Sequence, residues 1–302
     1  MNFVPSLNVL SLFDGISCGQ LALSNSGFNV SKYFASEIEK NSIAITQKNF
    51  PNTIQLGDVC KIDTADLPKI DLLIGGSPCQ SFSSANAHSR NGLDGKSKLF
   101  WQYIRILTEL NPKYFLLENV VMKPEWESII TKAIGVEPVF INSADFSAQI
   151  RKRLYWTNIP VLRWKPKNIL FPSVLDIWEG PWLELNENQL SKLSQLDPSI
   201  DKSNALTQAQ SRKGSSSEYL TMLAKIKKAQ KAEGYRALTV NECERLQTLP
   251  VNYTKADGVF NSRRMNAIGN GWTTDVISHI FKGMNRTEHD DLSEEFLFDI
   301  KD

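Results

Sequence analysis

From Leu7 to Leu117 the chain repeats one pattern. A short apolar run ends in a glycine or a lone polar residue, and a stretch with helical spacing follows. Residues 7–13 run into Asp14-Gly15, and 19–26 read as helix until Gly27. Residues 30–36 run into Glu37 and a helical stretch that closes at Pro51-Asn52. Residues 53–56 are short and strand-like, 70–74 strongly apolar and 114–117 apolar again. Between them, 98–110 put Leu99, Tyr103, Ile106, Leu107 and Leu110 on one side of a helix. Strands alternating with helices imply βαβ units, so the expected fold is α/β with a doubly wound, mostly parallel sheet.

The pattern lapses after about Tyr155. Pro160, Pro166, Pro172, Pro181 and Pro198 interrupt it, among Trp164, Trp178 and Trp182. Residues 201–236 hold eight Lys/Arg against three Asp/Glu, a local excess that suits phosphate contacts. Helical patterning returns near Tyr235. The expected division is 1–157 plus 236–286 as one domain, 158–235 as a smaller irregular one, and 287–302 as an acidic tail without assigned function. A net charge of +1 excludes a global basic field, so nucleic acid would need a local patch. Four cysteines without a Cys-x-x-Cys exclude a disulfide framework and a zinc ribbon, and three scattered histidines give no metal site. No apolar run reaches about 18 residues and the start lacks a signal-peptide pattern, so a cytoplasmic protein with no membrane contact is expected.

Ligands of open parallel sheets bind beyond the carboxyl ends of the strands. There the chain puts Asp14-Gly15, Glu37, Asp58, Pro78-Cys79 and Glu118-Asn119. Glu37, 23 residues after Asp14, stands where an acid takes ribose hydroxyls. The turn is not G-x-G-x-x-G, which favours a nucleoside over a pyrophosphate. Taken alone, this is equally a glycine turn with no nucleotide. Cys79 follows an apolar strand and Gly75-Gly76 and could be a nucleophile; a lone cysteine is as readily inert and buried, the assignment given to Cys18, Cys60 and Cys243. Glu118 could donate a proton from a partly apolar pocket or simply cap a helix. Gln149, Arg151 and Arg153 would share one face of a strand, as anion or carbonyl binders or as a solvated charge run.

In this order the pieces resemble the DNA cytosine-5 methyltransferases. The motifs are FDGISCG, ASE around Glu37, GDV at Asp58, GGSPCQSFS, KLFWQYIRIL, ENV at 118–120, QIRKR at 149–153, RALTVNECERLQTLP at 236–250 and AIGNGWTTDVI at 267–277. The first departs from F-x-G-x-G-G and the last from G-N-S, variants similar to those of phage and bacterial members and of the eukaryotic de novo branch. The resemblance implies a Rossmann-like S-adenosylmethionine-dependent methyltransferase fold with a target-recognition domain at 158–235.

It also implies roles. Cys79 adds to carbon 6 of a cytosine flipped out of duplex DNA. Glu118 serves ring nitrogen 3, Arg153 the 2-carbonyl with Arg151 in support, and Asn119 orients the cysteine loop. S-adenosylmethionine falls to Phe13, Asp14, Gly15, Ile16, Glu37, Ile38, Asp58, Val59, Pro78, Leu99, Asn270 and Trp272, with Asn270 brought beside Phe13. Gln80, Ser83, Arg212 and Lys213 are the candidate DNA contacts. No metal is needed, and a monomer acting apart from any cognate restriction endonuclease is expected. Three alternatives compete. A tRNA cytosine-5 methyltransferase would carry Cys-Phe-Thr, absent here; a non-catalytic DNA-binding regulatory homologue would have lost Cys79, Glu118 or the first motif, all intact here; an amino-group methyltransferase would carry Pro-Pro-aromatic in place of Pro-Cys-Gln.

Overall fold

The computed structural model describes residues 6–78, 99–197, 200–206 and 217–285. In β1 (Leu7–Leu12) every residue but Asn8 is buried, as suits a strand covered by helices on both faces. The chain then alternates through α1 (Cys18–Asn25), β2 (Val30–Ser36), α2 (Lys40–Asn49), β3 (Ile54–Gln55) and β4 (Leu72–Gly76). It continues with α3 (Leu99–Leu110), β5 (Tyr114–Val120), α4 (Pro124–Ile134), β6 (Val139–Asn142) and β7 (Lys152–Thr157). The sheet has seven strands in the order β3-β2-β1-β4-β5-β7-β6. β1 pairs in parallel with β2 and β4, β2 with β3, and β4 with β5, while β7 runs antiparallel to β5. The α/β, mostly parallel expectation is thus met.

Strand order reverses between β1 and β4, and such a switch opens a crevice at the carboxyl ends. The register lines those ends up. Leu12 lies opposite Ser36 on one side and Gly75 on the other, and Gly76 lies opposite Glu118. Phe13, Glu37 and Ser77 therefore leave the sheet along one edge, beside Glu118 within β5.

The core explains the glycine before that edge. Phe100, Tyr103 and Ile106 of α3 pack in one apolar cluster with Leu10, Leu12 and Leu73. Each such burial is worth roughly 1.5–3 kcal/mol. A Cβ on Gly75 would come within 3.0 Å of the Tyr103 ring and 3.1 Å of the Leu12 carbonyl oxygen. Glycine there lets helix and strand approach. α4 starts on Pro124 and stops at Gly135, which takes φ 86° and donates its amide to the Thr131 carbonyl at 2.7 Å.

The chain divides into two compact units, residues 1–141, 152–164 and 276–302, and residues 142–151 with 165–275. Within the second are α5 (Glu187–Ser194), α6 (Ser217–Gln230), α7 (Val240–Leu246) and α8 (Asn261–Asn270); α9 (Thr274–Lys282) begins there and continues in the first. The sequence pattern assigned 236–286 to the first domain. Instead α7 and α8 pack within the second unit, and only Val276 onward belongs to the first. Helical patterning reveals that a face is buried, not what covers it. Here Gln149 donates to the Leu246 carbonyl at 3.0 Å, tying α7 to the 142–151 segment. In the first unit, Ser26 donates its hydroxyl to the Ser278 carbonyl at 3.0 Å, and Val276, Ile277, Ile280 and Phe281 are fully buried. Among the described residues, no helix is long and apolar enough to cross a membrane.

Candidate active site

The turn after β1 is wound left-handed at three of five residues. Phe13, Gly15 and Ser17 take φ of 57°, 60° and 56°. Glycine adopts this freely; for Phe13 it is uncommon and must be held by its surroundings. Asp14 does the holding. Its amide donates to the Ser36 carbonyl at 3.1 Å, and its carboxylate accepts from Tyr33 Oη at 2.9 Å and from the Ser17 hydroxyl. Burial pushes the Asp14 carboxyl above its ordinary value, hydrogen bonds from Ser11, Ser17 and Tyr33 oppose this, and the charge of Glu37 adds to the rise. Glu37 is fixed in turn. One carboxylate oxygen accepts from Gly15 N at 2.8 Å, the other from Ile38 N at 2.8 Å and Glu39 N at 2.9 Å.

Beside this turn is a pocket of about 170 Å³ lined by Phe13, Ser36, Glu37, Ile38, Gly57, Asp58, Val59, Pro78 and Leu99. Phe13, Ile38, Val59, Pro78 and Leu99 offer apolar walls to a flat ring. Glu37 and Asp58 offer acceptors for hydroxyl and amino groups. Apolar walls with those acceptors fit a nucleoside. Ile38 is 73% exposed, so its apolar surface is available to a ligand. Asp14, Gly15 and Ile16 are not among the lining residues; Asp14 and Gly15 shape the turn, and Ile16 is buried in the core. Sequence reading missed Ser36 and Gly57. The Ser36 hydroxyl donates to the Gly57 carbonyl at 2.8 Å, joining the ends of β2 and β3. Their positions directly before Glu37 and Asp58 were the available signal.

A second group of polar residues stands where β4, β5 and β7 meet. Asn119, 2% exposed, donates to Ser77 Oγ at 3.1 Å and to the Ser77 carbonyl at 3.4 Å, and accepts from Val120 N at 2.8 Å. It thereby holds the chain two residues before Cys79. Glu118 lies opposite Tyr155, and Val120 opposite Arg153, so Glu118 and Arg153 share a face diagonally across the antiparallel pair. Arg153 Nε meets Glu118 Oε1 at 2.8 Å, with the side chains 15% and 11% exposed. The neighbouring Arg153 Nη1 donates to the Lys152 carbonyl at 2.8 Å.

Arg151 does not share that face. It precedes β7, which begins at Lys152, and lies in the second unit. Its guanidinium donates to the carbonyls of Leu206 at 3.1 Å, Gly269 at 3.2 Å and Gly271 at 3.0 Å. Gln149, expected on the same face, is equally committed to the second unit through Leu246. Alternating polar residues suggested a strand face, but buried carbonyls elsewhere claim them. Asn270 ends α8 and is exposed; Trp272 follows and is half-buried. Both are in the second unit. Cys79, Gln80, Ser83, Arg212 and Lys213 lie outside the described residues, as does the acidic tail.

Two of the other cysteines behave as expected and one does not. Cys18 and Cys243 are buried, and burial followed by the charges of Glu242 and Glu244 pushes the Cys243 thiol far up. Cys60, expected to be buried, is exposed on the turn after Asp58.

Comparison with known proteins gives a coherent picture. The family model described as C-5 cytosine-specific DNA methylase matches residues 7–160 and 182–286. The orphan methyltransferase M.SPRI of Bacillus phage SPR is 44% identical over 116 residues, 38% of this chain and 26% of that protein. The type II methyltransferase M.FnuDI of Fusobacterium nucleatum is 40% identical over 115 residues, 38% of this chain and 32% of that protein. The alignments thus span a quarter to a third of these relatives' own length. Among solved structures, the Entamoeba histolytica methyltransferase EhMeth matches with a TM-score of 0.73 at 18% identity, over 96% of this chain and 100% of that one. The S. pombe Dnmt2 methyltransferase matches at 0.66 and 18%, over 93% and 100%. At such identities the likeness is one of fold.

Proposed function

The chain belongs to the C-5 cytosine-specific DNA methylase family, and from that premise we propose that it methylates carbon 5 of a cytosine in a short duplex DNA target. The observation that carries this reading is the position of Pro78. It lines the nucleoside-sized pocket and is followed directly by Cys79, on a chain held by Asn119 next to the Glu118–Arg153 pair. A carboxyl and a guanidinium thus stand on the sheet whose edge borders the pocket, and the nucleophile follows the lining Pro78 in sequence. When bound, S-adenosylmethionine supplies the electrophilic methyl group.

The chain's own residues do the rest. The Cys79 thiolate adds to carbon 6, which makes carbon 5 enamine-like. Glu118 hydrogen-bonds or protonates ring nitrogen 3, so charge does not accumulate on the ring. Arg153 binds the 2-carbonyl oxygen and orients Glu118. After methylation the carbon-5 proton is lost to a base, and the carbon–sulfur bond breaks to release Cys79. The target leaves the stack at a cost of a few kcal/mol. Glu37 takes the ribose hydroxyls of the methyl donor and Asp58 its exocyclic amino group, while Asn270 and Trp272 are assigned to it by the 267–277 motif. Gln80 and Ser83 act at the target strand, and Arg212 and Lys213 at the groove. The biological role is DNA modification of the solitary, restriction-associated or phage self-protection kind, any endonuclease acting separately.

The test is transfer of label from S-adenosylmethionine to unmethylated duplex DNA, with Cys79→Ala in parallel and bisulfite sequencing of the product. Labelled 5-methylcytosine in one short context, abolished by the substitution, is expected. Label on tRNA instead, or on neither substrate with folded protein, overturns the reading.

A further inference from the structure

One wall of the pocket lies just past the end of its strand, where Ser36 of β2 bonds the Gly57 carbonyl. β3 is two residues long, and the chain then leaves the sheet for a single 3-10 turn, Val59–Lys61, with Asp58 as its cap. Asp58 accepts from Cys60 N at 3.0 Å, a bond within the turn. Side chains from α3 anchor it. Arg105 Nη2 donates to the Val59 carbonyl at 3.4 Å and the Ile62 carbonyl at 3.2 Å, gripping the turn at its first residue and at its C-cap. The guanidinium is itself braced, with Nε on Gln102 Oε1 at 3.0 Å and Nη1 on Glu109 Oε2 at 2.9 Å. Gln102 and Glu109 are three residues before and four after Arg105, neighbours on one helix face. Glu109 also accepts from the Thr64 hydroxyl at 2.8 Å, in the next 3-10 turn. The same helix begins with Leu99, another lining residue of the pocket. α3 therefore supplies one wall and grips the other.

We propose that Arg105 is a positioning residue that holds Asp58 and Val59 at a fixed distance from Leu99, and so sets how strictly the pocket reads the edge of a purine. A planar fork donating in three directions at once suits this, and lysine would not replace it. The inference rests on the pocket's reading as the methyl-donor site, with Asp58 accepting from the 6-amino group.

Arg105 is 32% exposed at its side chain, so replacing it leaves the core closed. Calorimetric titration of the whole chain with S-adenosylhomocysteine and with S-inosylhomocysteine, which carries a carbonyl in place of the amino group, tests the idea. Wild type should prefer the adenosyl compound by about a hundredfold or more, since the other sets a carbonyl oxygen against the half-buried Asp58 carboxylate. Arg105→Ala and Arg105→Lys should both weaken the adenosyl compound by about tenfold and the inosyl compound far less, so that the preference collapses. In an Asp58→Asn background, Arg105→Ala should add nothing to the loss of preference. A parallel weakening of both compounds, or no change in either, overturns the proposal. Wild type that binds neither compound, or both equally, overturns the pocket's reading and the proposal with it, before any substitution is compared.

Discussion

In the first unit apolar side chains hold a sheet together, with the candidate site at its edge; in the second, ionised and amide side chains reach into the interior and close it. The contrast is visible residue by residue. Leu10, Leu12, Leu73 and Leu117 around β1, β4 and β5 are buried, with Ser11 the buried polar residue of β1. In the second unit Arg236 and Glu242 are both fully buried and pair through two bonds, at 2.7 Å and 2.8 Å. Glu244 accepts from Thr254 N at 2.8 Å and from Arg264 at 3.2 Å. Lys202 donates to three carbonyls, of Ala144 at 2.7 Å, Ser147 at 2.9 Å and Ile169 at 2.6 Å. Apolar burial is non-directional, so its loss is graded by volume. A buried charge with its partner removed has nothing to substitute for it, so its loss is abrupt.

The sharpest way to break the contrast is to compare one deletion of each kind. Glu242→Ala should destabilise the second unit by about 3–5 kcal/mol, because Arg236 is left charged and unpaired. Leu73→Ala should cost the first unit about 3 kcal/mol, the sum of lost transfer energy and an imperfectly closed cavity. Urea unfolding followed by a probe in each unit measures both. If Glu242→Ala proves milder than Leu73→Ala, the second unit is not held as described.

A smaller effect separates structure from chemistry at Arg151. Arg151→Lys leaves one ammonium where a fork met three carbonyls, and should cost about 2 kcal/mol while the turnover of folded protein stays near wild type. Lower turnover at unchanged stability would return Arg151 to the base-binding role its motif suggested. The smallest effect is one of pH. The folded carboxyl of Asp14 lies above its ordinary value, so the folded chain keeps a proton that the unfolded chain has already lost. Stability therefore falls as pH rises from the ordinary value through the folded one. Asp14→Asn lacks that dependence, and thermal melts in acid should show it gaining on wild type across that window and levelling off above it. A constant difference would mean that the hydrogen bonds of the turn outweigh burial.

The legible part of this molecule was the part governed by local rules. Parallel strands must end at one edge, so Asp14, Glu37, Asp58, Pro78 and Glu118 could be placed near it from apolar runs and the residues that follow them, whereas assigning Phe13, Ile38, Val59 and Leu99 to a methyl donor took the family resemblance. Arg151 and Arg153 were indistinguishable in sequence because both are arginines two positions apart. What separates them is a strand that begins between them and carbonyls supplied by residues 206, 269 and 271. The same holds for the boundary near residue 236, since Thr239 and Glu242 announce a helix start but not its packing partner. Arg105 was read as part of an amphipathic helix. Its grip on Val59 and Ile62, more than forty positions away in the chain, left no local trace.

The reversal of β7 has a consequence for how such a site can change over time. Glu118 and Arg153 meet because two antiparallel strands are in register, with Val120 opposite Arg153. Nothing in that register depends on the length of the loops at 121–123 and 135–138, on either side of α4. Insertions and losses there can accumulate without moving the carboxyl from the guanidinium, whereas one residue gained or lost inside β5 or β7 would turn one of the pair to the other face. The carboxyl and the guanidinium thus stay in step while those loops are open to variation.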